Sequence, residues 1–261
     1  MIDSHSCPAD WGVRPVLFTI DGIGIPSYSF FVLMGLIAGI VVFNHNSKKD
    51  GVRDRQGVII AAGAIAGGIF GAKIFEWLLN YRFVLAHFSD PEIWLSGRTI
   101  TGGLIGGKLG AVLIKKKFGI RERKGNYFAP AVAIGVMIGR IGCFCRGCCY
   151  GKPTSLPFGT DFGDGIYRHP TQLYEALFML GMFLYLEKRR RNDHQRPGYL
   201  FKLLMLAYFT FRFFIEFIRA ETVVLAGMTA FQLISVIVAL YFIWDIFFNL
   251  NHKEKTYAGQ P

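Results

Sequence analysis

Arg140 stands in Gly-Val-Met-Ile-Gly-Arg-Ile-Gly-Cys-Phe-Cys-Arg-Gly-Cys-Cys-Tyr-Gly, residues 135–151, an apolar stretch that also holds four of the five cysteines. A guanidinium stays charged at any accessible pH, and placing one at the centre of a bilayer costs about 3 kcal/mol on insertion scales. A charge held there at such cost marks a function more often than not. A second arginine, Arg212, shares a run with Tyr208 and Glu216 at four-residue spacing, which puts the three on one helix face. Guanidinium groups match phosphate oxygens two at a time, so two of them at one depth, with a carboxylate to offset them, form a clamp for a phosphate. Glu216 either compensates Arg212 or takes part in chemistry, and the two roles are compatible. Tyr28, Thr101, Tyr174 and Glu175 fall near the ends of neighbouring apolar runs at the same level.

The elements that must carry these residues are membrane helices. Of 261 residues, 52% are hydrophobic, and several runs approach the roughly 20 residues that a helix needs to cross a bilayer. Strict alternation, the mark of a membrane β-barrel, is missing. The predicted fold is all-α, a polytopic membrane protein of seven transmembrane helices in one bundle. The expected spans are 28–45, 57–79, 98–114, 126–145, 170–186, 198–218 and 229–250. Residues 1–27 form an extracytoplasmic segment, 28–250 the membrane domain and 251–261 a cytoplasmic tail. No basic stretch precedes the first run, so the first helix is expected to be its own insertion signal.

Orientation follows from the basic residues. The net charge of +11 would suggest nucleic acid in a soluble chain, but the lysines and arginines gather in alternate loops, at Lys48 to Arg55, Lys115 to Lys124, Lys188 to Arg196, and Lys253 with Lys255. These segments outweigh the other side by roughly three to one, which places the N-terminus outside and the C-terminus in the cytoplasm. Arg140 and Arg212 then lie about 8 Å below the outer ends of the fourth and sixth spans, at 1.5 Å per residue. Lys202 and Asp245 fall near cytoplasmic ends and are expected to snorkel to the interface. Gly63, Gly67 and Gly71 in the second span and Gly102, Gly106 and Gly110 in the third make two small-residue stripes for close helix contact.

Cys143, Cys145, Cys148 and Cys149 lack the two separated Cys-x-x-Cys pairs of a zinc ribbon, so no metal is expected. Packing, or a disulfide from Cys145 to Cys148 or Cys149, is the expected role. Cys7 is unassigned.

Three motifs in order, Gly139-Arg140-Ile141-Gly142 continued by Tyr150-Gly151, Arg168-His169-Pro170-Thr171-Gln172-Leu173-Tyr174-Glu175, and Phe211-Arg212-Phe213-Phe214-Ile215-Glu216, resemble the phosphatidylglycerol:prolipoprotein diacylglyceryl transferases. The likeness runs from about Tyr28 to Leu250. It implies seven spans in a bacterial cytoplasmic (inner) membrane. It also implies transfer of the diacylglyceryl group of phosphatidylglycerol to the lipobox cysteine of a preprolipoprotein, with release of glycerol phosphate. On it, Arg140 and Arg212 are the essential arginines, Tyr28, Tyr208, Glu216 and Gly151 support them, and Thr101 lines the substrate site. The partners are phosphatidylglycerol and the signal peptide; no cofactor and no nucleic acid are implied, and the chain is read as a monomer. Three positions depart from the family pattern: Cys143 stands for Asn, Cys148 for Glu and Thr101 for His. Threonine is no base near neutral pH, which leaves His169 or Glu216 as candidates. Use of the same clamp on another acceptor, a small transporter and a thiol-redox membrane protein are the rival readings.

Overall fold

The computed structural model describes residues 11–49, 55–90, 99–192 and 196–257, with side chains through Phe248. Cys7, Arg53, Trp94 and Arg98, and the side chains of Lys253 and Lys255, lie outside the described residues. The helices are α1 (Ser27–Lys49), α2 (Arg55–Leu79), α3 (Tyr81–Ala86), α4 (Ile100–Lys117), α5 (Gly125–Arg146), α6 (Thr171–Asn192), α7 (Tyr199–Ile215) and α8 (Ala230–Tyr257). Each predicted span has its helix. The sixth ends in a single 3-10 turn, Glu216–Ile218.

Short hairpins fill the connections, and an all-α expectation omits them. They are β1 (Val16–Ile20) with β2 (Ile23–Pro26), β3 (Thr160–Asp161) with β4 (Tyr167–Arg168), and β5 (Val223–Leu225) with β6 (Met228–Thr229), all antiparallel. In the first, Ile20 pairs with Ile23 across Asp21 and Gly22, both at positive φ. That is the two-residue turn whose twist suits a hairpin, for which Asp-Gly is a preferred sequence.

The chain folds as two compact units. One holds α2, α3 and α4 with the end of α1. In it the two glycine stripes meet face to face: a methyl added at Gly71 would come 2.5 Å from the carbonyl oxygen of Gly102, and Gly67 abuts the carbonyl of Gly106. Only hydrogen side chains allow that backbone-to-backbone contact. Thr101 lies buried in the first turn of α4, after Thr99 caps the helix by accepting a hydrogen bond from the Gly102 amide.

The other unit holds Ser27 to Phe43 of α1, helices α5 to α8 and the three hairpins. Helices α6 and α7 stack Phe178 on Phe211, and α1 and α5 stack Phe43 on Phe128. Asn126, at the start of α5, donates to the carbonyl of Arg196 and accepts from the Leu200 amide, fixing α5 to the start of α7. Lys202 and Asp245 form a 2.9 Å ion pair across α7 and α8. Among the described residues, four helices, 27–49, 55–79, 125–146 and 230–248, are long and apolar enough to cross a membrane. Their exposed Ile69, Phe70, Ile237, Leu240, Phe247 and Phe248 are the surface such a helix presents to lipid.

The loop after α5 is tied down by charge. Arg168 forms a two-pronged pair with Asp164, at 2.6 and 2.5 Å, and its guanidinium lies over the rings of Tyr150 and Trp11. Trp11 in turn donates to the carbonyl of Gly147, so the N-terminal segment, this loop and the end of α5 are one assembly. The hydrogen bonds from Arg168 hold the Asp164 carboxyl down at about 2. A carboxyl depressed in the folded state stabilises it above its unfolded value, and that contribution vanishes as pH falls through the folded value. The stability that the native chain holds over Asp164→Asn is therefore expected to shrink between about pH 4 and pH 2 and stay constant above pH 5. Thermal unfolding of the two chains across that range checks it.

Candidate active site

Arg140 lies in the last two turns of α5, and the residues just beyond that helix decide the shape around it. Gly147 adopts φ 74°, the left-handed conformation that ends a helix, and the Cys148 amide reaches back to the carbonyl of Cys143 while the Gly147 amide bonds that of Phe144. This is the Schellman arrangement, and it folds the chain back over the helix end. Gln172 then donates to the carbonyl of Cys148, and Thr171 and Arg219 donate to that of Cys149, at 2.6, 2.6 and 2.8 Å. The start of α6 and the end of α7 are thereby brought to the end of α5.

At this junction Arg140 and Arg212 meet on one carboxylate. Arg140 Nη2 lies 2.6 Å from Glu175 Oε2, and Arg212 Nη1 lies 4.0 Å from the same oxygen. Tyr208 donates to the other oxygen, Oε1, at 3.0 Å. One turn on, Glu216 Oε2 pairs with Arg212 Nη2 at 3.0 Å and with Arg219 Nε at 3.4 Å, while its Oε1 accepts from the Thr229 hydroxyl at 3.0 Å. The Arg212 guanidinium also faces the Phe231 ring. Arg140, Glu175, Tyr208, Arg212, Glu216 and Arg219 are each under 5% exposed, and Glu221 pairs with Arg219 at 2.8 Å at the edge, so three guanidinium groups meet three carboxylates. Buried charges persist only when paired and hydrogen-bonded. Even so, Arg140 Nε and Arg212 Nε and Nη1 have no hydrogen-bond partner among the described residues. Guanidinium N–H groups left open in a buried site are what an anion would complete.

Arg140, Arg212, Tyr208 and Glu216, the residues that spacing singles out, all belong to this network. Glu175, by sequence only a neighbour, joins the two arginines, and Arg219, by position a loop charge, is buried at its edge. For Arg219 a spacing signal is present, since it follows Glu216 by three residues, one helical turn. His169 stands apart, its ring Nδ1 lying 3.2 Å from the Tyr174 hydroxyl and hydrogen-bonded to neither arginine. Tyr28 packs at the first turn of α1 against Gly142, under the guanidinium of Arg146. Thr101 belongs to the other unit.

Gly151 occupies a crossing of three backbone segments. Its amide donates to the carbonyl of His169, it bridges to Arg219, and a methyl there would lie 2.6 Å from the carbonyl oxygen of Ile218 and 2.7 Å from His169 Cβ. Gly151→Ala is expected to destabilise the protein by about 1–3 kcal/mol, as overpacking does. Denaturation in detergent measures it.

Cys143, Cys145, Cys148 and Cys149 all carry free thiols, which corrects the expected disulfide. The sulfurs of Cys143, Cys148 and Cys149 lie within 4.8 Å of one another. Cys149 holds φ 64°, unusual for a side chain other than glycine. Hydrogen bonds from Cys143 and Cys148 pull its thiol well below the ordinary range, and Arg219 and Arg140 act in the same direction.

The model of the prolipoprotein diacylglyceryl transferase family matches residues 15–248. The chain belongs to the prolipoprotein diacylglyceryl transferase family. Among curated members, the phosphatidylglycerol--prolipoprotein diacylglyceryl transferase of Clostridium tetani is 33% identical over 221 residues, 80% of this chain and 86% of that protein. That of Finegoldia magna is 33% identical over 242 residues, 92% of this chain and 96% of its own length. A protein of Clostridium perfringens named phosphatidylglycerol--prolipoprotein diacylglyceryl transferase 2 is 29% identical over 264 residues and is covered in full. Family membership and the apolar helices together make this a membrane protein. The Arg140–Glu175–Arg212 network lies wholly inside the matched region.

Proposed function

We propose that the chain transfers the diacylglyceryl group of phosphatidylglycerol to the lipobox cysteine of a preprolipoprotein, forming a thioether and releasing glycerol phosphate. The observation that carries this is the convergence of Arg140 and Arg212 on Glu175 with guanidinium N–H groups left open. Breaking the carbon–oxygen bond sends an electron pair onto the phosphate, which gains a negative charge as the bond breaks. Donors fixed in a water-poor site stabilise charge that develops in the transition state. Here Glu175 and Glu216 hold the two guanidinium groups in place beforehand, and Tyr208 fixes Glu175. Donors already oriented cost no reorganisation when the charge appears.

On this reading Tyr28, Thr101 and Gly151 border the lipid or the peptide, and His169 or Glu216 takes the thiol proton. Glu216 is already held on both oxygens, by Thr229 and by two arginines, which favours His169 for that step. The chain acts as a monomer in the bacterial cytoplasmic membrane, its seven spans being α1, α2 and α4 to α8, with the N-terminus outside. Support for seven rather than four comes from basic clusters at the ends of α1, α4 and α6, at Lys48 and Lys49, Lys115 to Lys117 and Arg189 to Arg191. All three ends then face the cytoplasm.

Expression in cells depleted of their own transferase tests the activity. A lipobox reporter is expected to gain the mass of a diacylglyceryl group; an unmodified reporter beside well-expressed protein would refute the proposal.

A further inference from the structure

Thioether formation needs the acceptor sulfur as a thiolate, because the thiol is a poor nucleophile. Building on the transferase reading, we propose that Cys143, Cys148 and Cys149 form a three-thiolate zinc site whose fourth position takes the acceptor thiol.

The geometry is that of a zinc site with one ligand missing. Tetrahedral zinc with bonds of about 2.3 Å holds its sulfurs about 3.8 Å apart, so side-chain adjustments of about 1 Å close the group around the metal. The three sulfurs are already within 4.8 Å of each other. Structural zinc sites are closed by four protein ligands, whereas sites that do chemistry supply three and leave one place for water or substrate. Cys145, two residues from Cys143, is not in the group.

The backbone is shaped for this grouping. The Schellman turn at Gly147 brings Cys148 over Cys143, with the Cys148 thiol 3.6 Å from the Cys143 carbonyl. The left-handed conformation of Cys149 turns its sulfur to the other two, and side chains of Gln172, Thr171 and Arg219 clamp the intervening carbonyls. Supporting bonds of this kind orient metal ligands.

Charge fits as well. Arginines beside a bare cation would repel it, but zinc with three thiolates is a monoanion and with a fourth a dianion. Arg140 Nη1 lies 3.9 Å from Cys143 Sγ, and Arg219 donates to the Cys149 carbonyl, so two arginines flank the group. The same Arg140 faces Glu175 on its other side, which sets the nucleophile next to the group that receives the leaving phosphate.

The step balances. The acceptor S–H loses its proton on coordination, since a thiol bound to zinc is deprotonated, and that proton passes through water to the base of the transferase reading. The sulfur lone pair forms a bond to the glyceryl methylene carbon, and the carbon–oxygen bond breaks with its electron pair going to glycerol phosphate. The product thioether is neutral, a weaker ligand, and leaves.

The test uses the full chain purified in detergent, reduced, loaded with zinc and freed of excess metal. About one zinc per chain is expected in the native protein and in Cys145→Ser, and near none in Cys143→Ser/Cys148→Ser, by elemental analysis. Replacement of zinc by cobalt(II) gives a second readout: thiolate-to-cobalt absorption, with visible bands that shift on adding a lipobox peptide but not its serine analogue. No zinc above the double variant, or a disulfide among the three cysteines in the isolated protein, overturns the site. Zinc bound but cobalt bands indifferent to the peptide thiol, with transfer surviving zinc removal, overturns its role. Transfer without zinc would leave the transferase reading standing; zinc without transfer in the depleted cells would sink that reading instead.

Discussion

Arg140→Lys lowers diacylglyceryl transfer by about 10²–10³-fold, the loss seen when one preorganised donor is taken from a charge-stabilising site. Lysine keeps the charge but not the fork. Arg140 reaches Glu175 through Nη2 and the Cys143 sulfur through Nη1, leaving Nε open. An ammonium is a single point and cannot serve a carboxylate and a phosphate together. Mass analysis of a lipobox reporter in transferase-depleted cells measures the loss. A lysine variant within threefold of the native rate would remove Arg140 from the chemistry.

Glu175→Ala destabilises the fold by about 3–5 kcal/mol, the cost of removing one partner from a buried ion pair. Glu175 is 1% exposed and holds Arg140, Tyr208 and the approach of Arg212 on its two oxygens. Without it, Arg140 loses its carboxylate partner and Arg212 keeps Glu216 alone. Adding Arg140→Met to Glu175→Ala removes the orphaned charge, and stability is expected to recover by more than half while transfer stays lost. Groups in one network couple in this way, and a double-mutant cycle on unfolding midpoints reads the coupling. Strictly additive losses would mean that Glu175 does not hold Arg140.

The helices are legible in the sequence because membrane spans announce themselves by length and apolarity, and Arg140 and Arg212 because charge is rare inside such runs. Their shared depth can be counted along the helices. Their shared carboxylate cannot, since Glu175 sits at the start of a third helix whose rotation no spacing fixes. The hairpins escape notice although Asp21-Gly22 is a turn signal; strands of two to five residues carry too few alternations to stand out beside long apolar runs. The cysteine group eludes spacing arguments because it depends on Gly147 entering the left-handed region, which converts a five-residue separation into contact. Lys202 and Asp245 each fall near a helix end, yet only the packing of α7 on α8 makes them partners.

Along the seam between α2 and α4, main chain touches main chain, so no side-chain shape can be exchanged for another to repair it, and any added carbon wedges the helices apart along their whole length. Tolerance to replacement along α2 should therefore pulse every fourth residue, falling sharply at Gly63, Gly67 and Gly71 and rising at lipid-exposed Ile69, Phe70 and Leu78 between and beyond them. Such a rhythm would let drift rewrite the helix's outer face while its inner face stays glycine.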